Sequence, residues 1–164
     1  MLARLILGLS IASHGAQKLF GWFGGGGIGG MSGFFEQLGF RPGAFFVFAA
    51  GLGEFGGGLL TALGLLGPIG PALVIMVMIV AMIAVHWSNG FFNEAKGIEL
   101  PLIYSAGAAG LAFGGRGAFS FDAALGLTNL WAPSGTSLAI GIGVLFALLS
   151  LVARGHPAHA SQTG

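Results

Sequence analysis

The sequence predicts an all-α membrane protein: an antiparallel bundle of four helices with a fifth transmembrane helix appended at the C-terminal end. Three observations carry this. Hydrophobic residues make up 55% of the 164-residue chain and charged residues only 7%, whereas a soluble domain carries roughly 25% charged residues. Mean hydropathy is +0.92. The apolar residues fall into five long runs broken by glycine, proline and polar stretches, and a helix that crosses a bilayer needs about 20 such residues. The 33 glycines fit the same picture, because small residues let membrane helices approach closely.

Composition also excludes functions. The chain has no cysteine, so disulfides, thiol catalysis, c-type haem attachment and cysteine-held clusters are ruled out. Net charge is +1 and no basic block occurs, so nucleic acid is not an expected partner. The expected partners are the lipid bilayer and either another membrane complex or a second copy of the chain.

The elements follow in order. The first span covers about residues 2–20. A secretory signal would place a basic region before a short apolar core and a small-residue cleavage site. Here His14 and Lys18 interrupt the far end, so the segment is read as a retained helix. Residues 21–43 are too glycine-rich to span. Within them Met31, Phe34, Phe35 and Leu38 recur at helical spacing. That predicts a short interfacial helix near 31–39, with Ser32 as N-cap and its phenylalanines in lipid. Arg41-Pro42-Gly43 opens the second span, which runs to about residue 66. Gly67-Pro68 and Gly70-Pro71 bracket a tight turn, and the third span covers about 71–87. A polar loop leads to the fourth span at about 100–113, which is short for a crossing. Asp122 is the expected cap of a second interfacial helix near 122–131. The fifth span covers about 136–152.

Short connections make neighbouring spans antiparallel. The domain reading is a four-helix unit over 1–125, an interfacial segment with the fifth span over 126–153, and a polar tail over 154–164. Lys18, Arg41, Lys96 and Arg154 fall at one end, Arg4 and Arg116 at the other. The positive-inside rule places the first set in the cytoplasm. Arg4 and Lys18 lie within spans, however, so the count leaves orientation open.

Ionisable side chains at bilayer depth are costly and gather where helices face one another. Five stand out: Arg4, His14, Lys18, Glu54 and His86. At about 100° per residue, Arg4, His14 and Lys18 share one face of the first span, within roughly 80°. A rise of about 1.5 Å per residue puts Lys18, His14, Glu54 and His86 in one half of the bilayer and Arg4 near the other end. Glu54 is then placed to take a hydrogen bond from His14, with Lys18 reaching toward either. His86 and the loop with Glu94, Lys96 and Glu99 are the expected roof. Trp22, Trp87, Asn89 and Tyr104 are candidates for the mouth.

Two meanings stand side by side: the charges lock helices in register, or they line a ligand or redox site. A haem between His14 and His86 is disfavoured, since their depths differ by about one turn. No metal-ligand set and no self-sufficient catalytic motif is evident, which leaves enzymatic activity open. Gly53-x-x-x-Gly57 and Gly110-x-x-x-Gly114 match the small-xxx-small pattern and read as core packing or dimerisation. The run Gly24 to Gly27 lacks the Lys and Ser/Thr of a phosphate loop and reads as a flexible connection.

The motifs also carry a resemblance. Arg4 is followed by His14-Gly15-x-Gln17-Lys18-Leu19-Phe20-Gly21. The second span holds Gly51-Leu52-x-Glu54-x-x-Gly57-Gly58 and Leu63-Gly64-Leu65. His86 precedes Asn89-Gly90-Phe91-Phe92, and Ser120-Phe121-Asp122 follows the fourth span. This order resembles the DoxX family of small bacterial membrane proteins over about residues 1–125, and the fifth span departs from it. The resemblance implies a multi-pass protein of the bacterial inner membrane associated with redox systems. The family is named for a subunit linked to quinone-dependent oxidation of sulfur compounds, and some members are tied to oxidative-stress complexes. By this resemblance the five ionisable residues are the positions to examine and a quinone is the cofactor to consider first.

Two functions are expected from these readings. One is a redox-associated subunit whose polar cluster holds a quinone or lipid-like molecule. The other is a non-catalytic accessory subunit of a larger respiratory or photosynthetic complex, with the fifth span as docking surface. A carrier or proton path ranks third, because only Arg4 serves the other half of the bilayer and no inverted repeat is apparent.

Overall fold

A computed structural model describes residues 1–114 and 117–156. Among these residues every regular element is helical. Arg116 and positions 157–164 of the expected tail lie outside the described residues.

Helix α1 spans Leu2–Phe20 and stops at Gly21, whose φ of 73° suits a residue without Cβ. Helix α2 spans Gly27–Gln37. Helix α3 spans Gly43–Leu63 and ends at Gly64, φ 63°, three residues before the expected end. Helix α4 begins at Ile69 and runs to Ala81, with Pro71 in the first turn, where a missing N–H is not needed. It continues through a wide π turn, Met82–His86, and a tight 3₁₀ turn, Trp87–Asn89. Helix α5 spans Glu99–Phe113. Helix α6 is a single turn, Phe121–Ala124, and α7 spans Pro133–Val152 with proline at its start.

Among the described residues three helices are long and apolar enough to cross a membrane: Gly43–Leu63, Ile69–Asn89 and Pro133–Val152. Helix α1 carries Arg4 and Lys18 within its length. Helix α5 has 15 residues, about 22 Å at 1.5 Å per residue, against a hydrocarbon core of about 30 Å.

Helices α1 and α3 run antiparallel with their backbones in contact. A Cβ on Gly8 would lie 2.5 Å from Ala62 N and from Gly58 O, and one on Gly58 would lie 2.6 Å from Ala12 N and Gly8 O. Gly15 sits in the same way against Gly51 and Phe55. The motif Gly53-x-x-x-Gly57 instead faces α4, against Val77 and Leu73, while Gly110 has nothing within 4 Å. Helix α4 is central and packs on α3, α5 and α7. Its Val74, Ile75, Val77 and Met78 form the core with Ile11 of α1 and Ala108 of α5.

Each end of the bundle is tied. At the Met1 end Asp122, only 1% exposed, accepts hydrogen bonds from Leu66 N at 2.9 Å and Gly67 N at 2.7 Å. Leu66 and Gly67 have positive φ, 59° and 53°, and the carboxylate sits in the concavity their N–H groups make. Asp122 therefore closes the α3–α4 turn and does not cap a helix. The cap of α6 is Ser120, whose Oγ accepts from Ala123 N at 3.1 Å. The helix expected near 122–131 is broken at Gly126, φ 71°, and resumes only as the 3₁₀ turn Thr128–Leu130. At the other end Arg154 Nε donates to Leu38 O at 2.5 Å and Gly155 N to Gly39 O at 2.9 Å. The Arg154 guanidinium also lies 5.8 Å from the Phe40 ring centre. The end of α7 is thereby fastened to the α2–α3 loop.

Candidate functional site

The backbone contact of α1 with α3 brings Lys18 beside Glu54. Lys18 Nζ lies 2.5 Å from Glu54 Oε2, with side chains 19% and 4% exposed. Glu54 is thus buried with a charge-assisted partner. That partner is Lys18 and not His14, as the depth estimate also allowed. His14 is exposed and lies at the edge of the site. Its Nδ1 lies 3.2 Å from Gln17 Oε1, and its ring meets Tyr104 edge-on at 6.3 Å. Gln17 Nε2 donates to Phe23 O at 3.3 Å, which turns the amide oxygen toward His14.

His86 Nδ1 lies 2.6 Å from the Lys96 carbonyl, which Asn89 Nδ2 also reaches at 3.2 Å. A carbonyl only accepts, so neutral His86 carries its proton on Nδ1 and keeps the Nε2 lone pair. The π turn at Met82–His86 sets the direction of this ring. Such wide turns recur at functional positions, and helical periodicity does not reveal them.

These groups meet at one cavity of about 240 Å³. Ile11, His14 and Lys18 of α1 line it, with Ala50 and Glu54 of α3. Helix α4 and its π turn add Val77, Met78, Ala84 and His86, and α5 adds Leu100, Pro101 and Tyr104. Helix α2 closes it with Met31, Phe34, Phe35 and Leu38. The apolar stripe expected in lipid therefore covers a hollow inside the protein, though Phe34 remains 43% exposed. Helix α2 also starts earlier than expected. Ser32 is not its N-cap but lies mid-helix, donating to Ile28 O at 2.6 Å.

Other expectations are corrected. Arg4, grouped with the other four as a position to examine, lies apart from them at the end its depth gave: it is buried at the Met1 end and donates to Phe119 O. There it lines a separate cavity of about 30 Å³ with Thr61, Asp122 and Thr136. The distance is that of the helix itself, since ten residues separate Arg4 from His14, about 15 Å. Trp22 and Trp87 point outward, 56% and 66% exposed. Of the four mouth candidates only Tyr104 lines the cavity. Glu94, Lys96 and Glu99 do not roof it. Glu99 folds back to accept from Asn93 N at 2.9 Å, and the cover is α2. The glycine run is compact: Gly24 ends a 3₁₀ turn, Gly25 packs on Gln17, and Gly27 starts α2. Among the described residues no three His, Asp or Glu side chains are grouped to hold a metal ion.

The cavity is apolar over most of its wall and polar where α1, α3, α4 and α5 converge. Lys18 and the Tyr104 hydroxyl can donate hydrogen bonds. Glu54 and an imidazole Nε2 can accept them. A flat ring with oxygens at opposite edges suits this set, because pockets of this kind fix orientation with a few polar groups on an apolar wall.

The family model DoxX matches residues 1–87, more than half of the 164 residues, a stretch that includes Arg4, His14, Lys18, Glu54 and His86. No curated protein and no solved structure matches the chain.

Proposed function

The chain belongs to the DoxX family, and from that premise we propose that it is a membrane subunit of a quinone-linked redox system. In this reading it crosses the bacterial inner membrane five times, as a four-helix unit plus α7. Its cavity holds the ring of a quinone. The observation that carries the reading is that His14, Lys18, Glu54, His86 and Tyr104, from four helices, line a single cavity of about 240 Å³. A satisfied ion pair on one wall and free imidazole nitrogens on another give a ring polar partners at two edges. A quinone supplies two-electron, two-proton chemistry when bound. The chain's own residues bind the ring and orient it: Lys18 and the Tyr104 hydroxyl donate to the carbonyl oxygens of the quinone, while Glu54 and His86 Nε2 accept from the hydroxyls of the quinol. A partner protein supplies the redox centre.

A second reading has its own support. The Lys18–Glu54 pair is complete without a ligand, which fits a lock that holds α1 against α3 in an accessory subunit. Purification from quinone-containing membranes, followed by solvent extraction and titration with a short-tailed benzoquinone, separates the two. The first reading expects bound quinone and saturable uptake. Protein that retains none and takes up none sinks it. A host complex that keeps full activity without this subunit supports the accessory role.

A further inference from the structure

Beside the main cavity lies a second one of about 70 Å³. The two share Phe35, Phe40, Ala50, Val77 and Val80, so a single layer of side chains divides them. The second cavity is otherwise bounded by Phe46, Ala49 and Met76, with Ser150 of α7 on the far wall. Ala49 is exposed and Ser150 half-buried, which places the outer rim between α3 and α7. The Ser150 hydroxyl donates to Phe146 O at 2.8 Å. The slot therefore offers no unused polar side chain.

We propose that this slot is the tail subsite of the ring-binding cavity, and that the ligand is an amphiphile with one hydrocarbon tail leaving between α3 and α7. The inference rests on the reading that the main cavity binds a quinone ring. The dividing layer is aromatic: the Phe35 and Phe40 rings are 6.1 Å apart, and Phe40 and Phe46 are 5.1 Å apart. Planar side chains part by rotation rather than by moving a helix. One narrow slot accommodates one chain, so a prenylated or alkylated quinone fits and a diacyl lipid does not. The wall given by α7 lies outside the 1–87 segment that matches the family, so the subsite gives the added helix a role. A tail in lipid is already in apolar surroundings, so the slot adds little affinity. Its effect is to fix how the ring sits.

Two variants plug the rim from opposite helices, Ala49→Phe and Ser150→Leu. The probes are a tailless dimethoxy-dimethyl benzoquinone and the same ring bearing a decyl tail, titrated onto the full chain in lipid nanodiscs. Both variants are expected to bind the tailless ring as the wild type does and the decyl ring at least ten-fold more weakly. Unchanged decyl binding in both variants overturns the inference, as does equal weakening of both probes. A diacyl lipid recovered from the cavity also overturns it. Failure of the wild type to bind either probe is a different outcome: it removes the ring-binding reading itself, and the tail subsite with it.

Discussion

Glu54 is the residue on which the site turns. It is 3% exposed and its charge is met by Lys18 alone among the described ion pairs. Removing one partner of such a pair leaves an unpaired buried charge and costs about 3–5 kcal/mol, while replacing both by apolar groups of similar size is often neutral or stabilising. Lys18→Met is therefore expected to lower thermal stability strongly, toward the smaller figure because Lys18 keeps some exposure. The double variant Lys18→Met/Glu54→Leu is expected to recover that stability and still lose ring binding. Thermal melts read beside quinone titration check this, and a double variant that binds the ring normally reduces the pair to a lock. The charged residues were legible in the sequence because ionised groups inside apolar runs are rare and costly. Asp122 was legible only as a cap. Its real partners, Leu66 and Gly67, lie 56 and 55 residues away, and no local pattern signals that. Arg4 shares a helix face with His14 and Lys18, and its depth in the sequence already set it near the other end, where it meets Phe119 O.

At the scale of elements, glycine decides which helices touch. A side chain at Gly58 has no room, since even a Cβ would stand 2.6 Å from backbone atoms of α1. Gly58→Val is expected to separate α1 from α3, pull Lys18 from Glu54 and abolish monodisperse folded protein. Gly110→Ala meets nothing within 4 Å and is expected to raise stability by about 0.5–1 kcal/mol, the usual gain from replacing a helical glycine by alanine. Equal melting temperatures for the two variants contradict this account. Helix α2 is a second case. Its stripe of Met31, Phe34, Phe35 and Leu38 correctly predicted a short amphipathic helix, but amphipathicity does not say which apolar surface the stripe meets. The structure shows it over the cavity, held at its C-terminal loop by Arg154. Arg154→Ala is expected to speed hydrogen exchange of amides across 27–37 several-fold and to leave α3 and α4 unchanged. Unaltered exchange in α2 means that the loop does not depend on this fastening.

The whole molecule has two ends whose composition follows from contacts alone. Arg4 on Phe119 and Asp122 on the Gly64–Gly67 turn define one. Arg154 on Leu38 and the loop around Lys96 on His86 define the other. Short connections made the antiparallel order legible; that α4 is central was not read from run length, although its run is more apolar than those of α3 and α7 and a helix apolar all round is a buried one. Helix α5 is the test of the five-span reading. Between Glu99, whose N–H bonds Phe91 O in the Lys96 loop, and Asp122, whose N–H bonds Gly64 O, the chain must travel from one end to the other. With 15 residues it does so only if the flanking segments carry part of the depth. The absence of cysteine makes single-cysteine labelling free of background. Glu94→Cys and Ala118→Cys, both at exposed positions, flank α5, and a membrane-impermeant maleimide is expected to reach them from opposite sides. His156→Cys is expected to label from the same side as Glu94→Cys. The described basic residues Arg41, Lys96 and Arg154 share that end, so it is expected to face the cytoplasm and to stay protected in intact cells. Labelling of Glu94→Cys and Ala118→Cys from one side makes α5 a re-entrant segment and ends the five-span reading. Four crossing helices, α1, α3, α4 and α7, would then remain, with α1 held along α3 by the Gly8, Gly15 and Gly58 contacts.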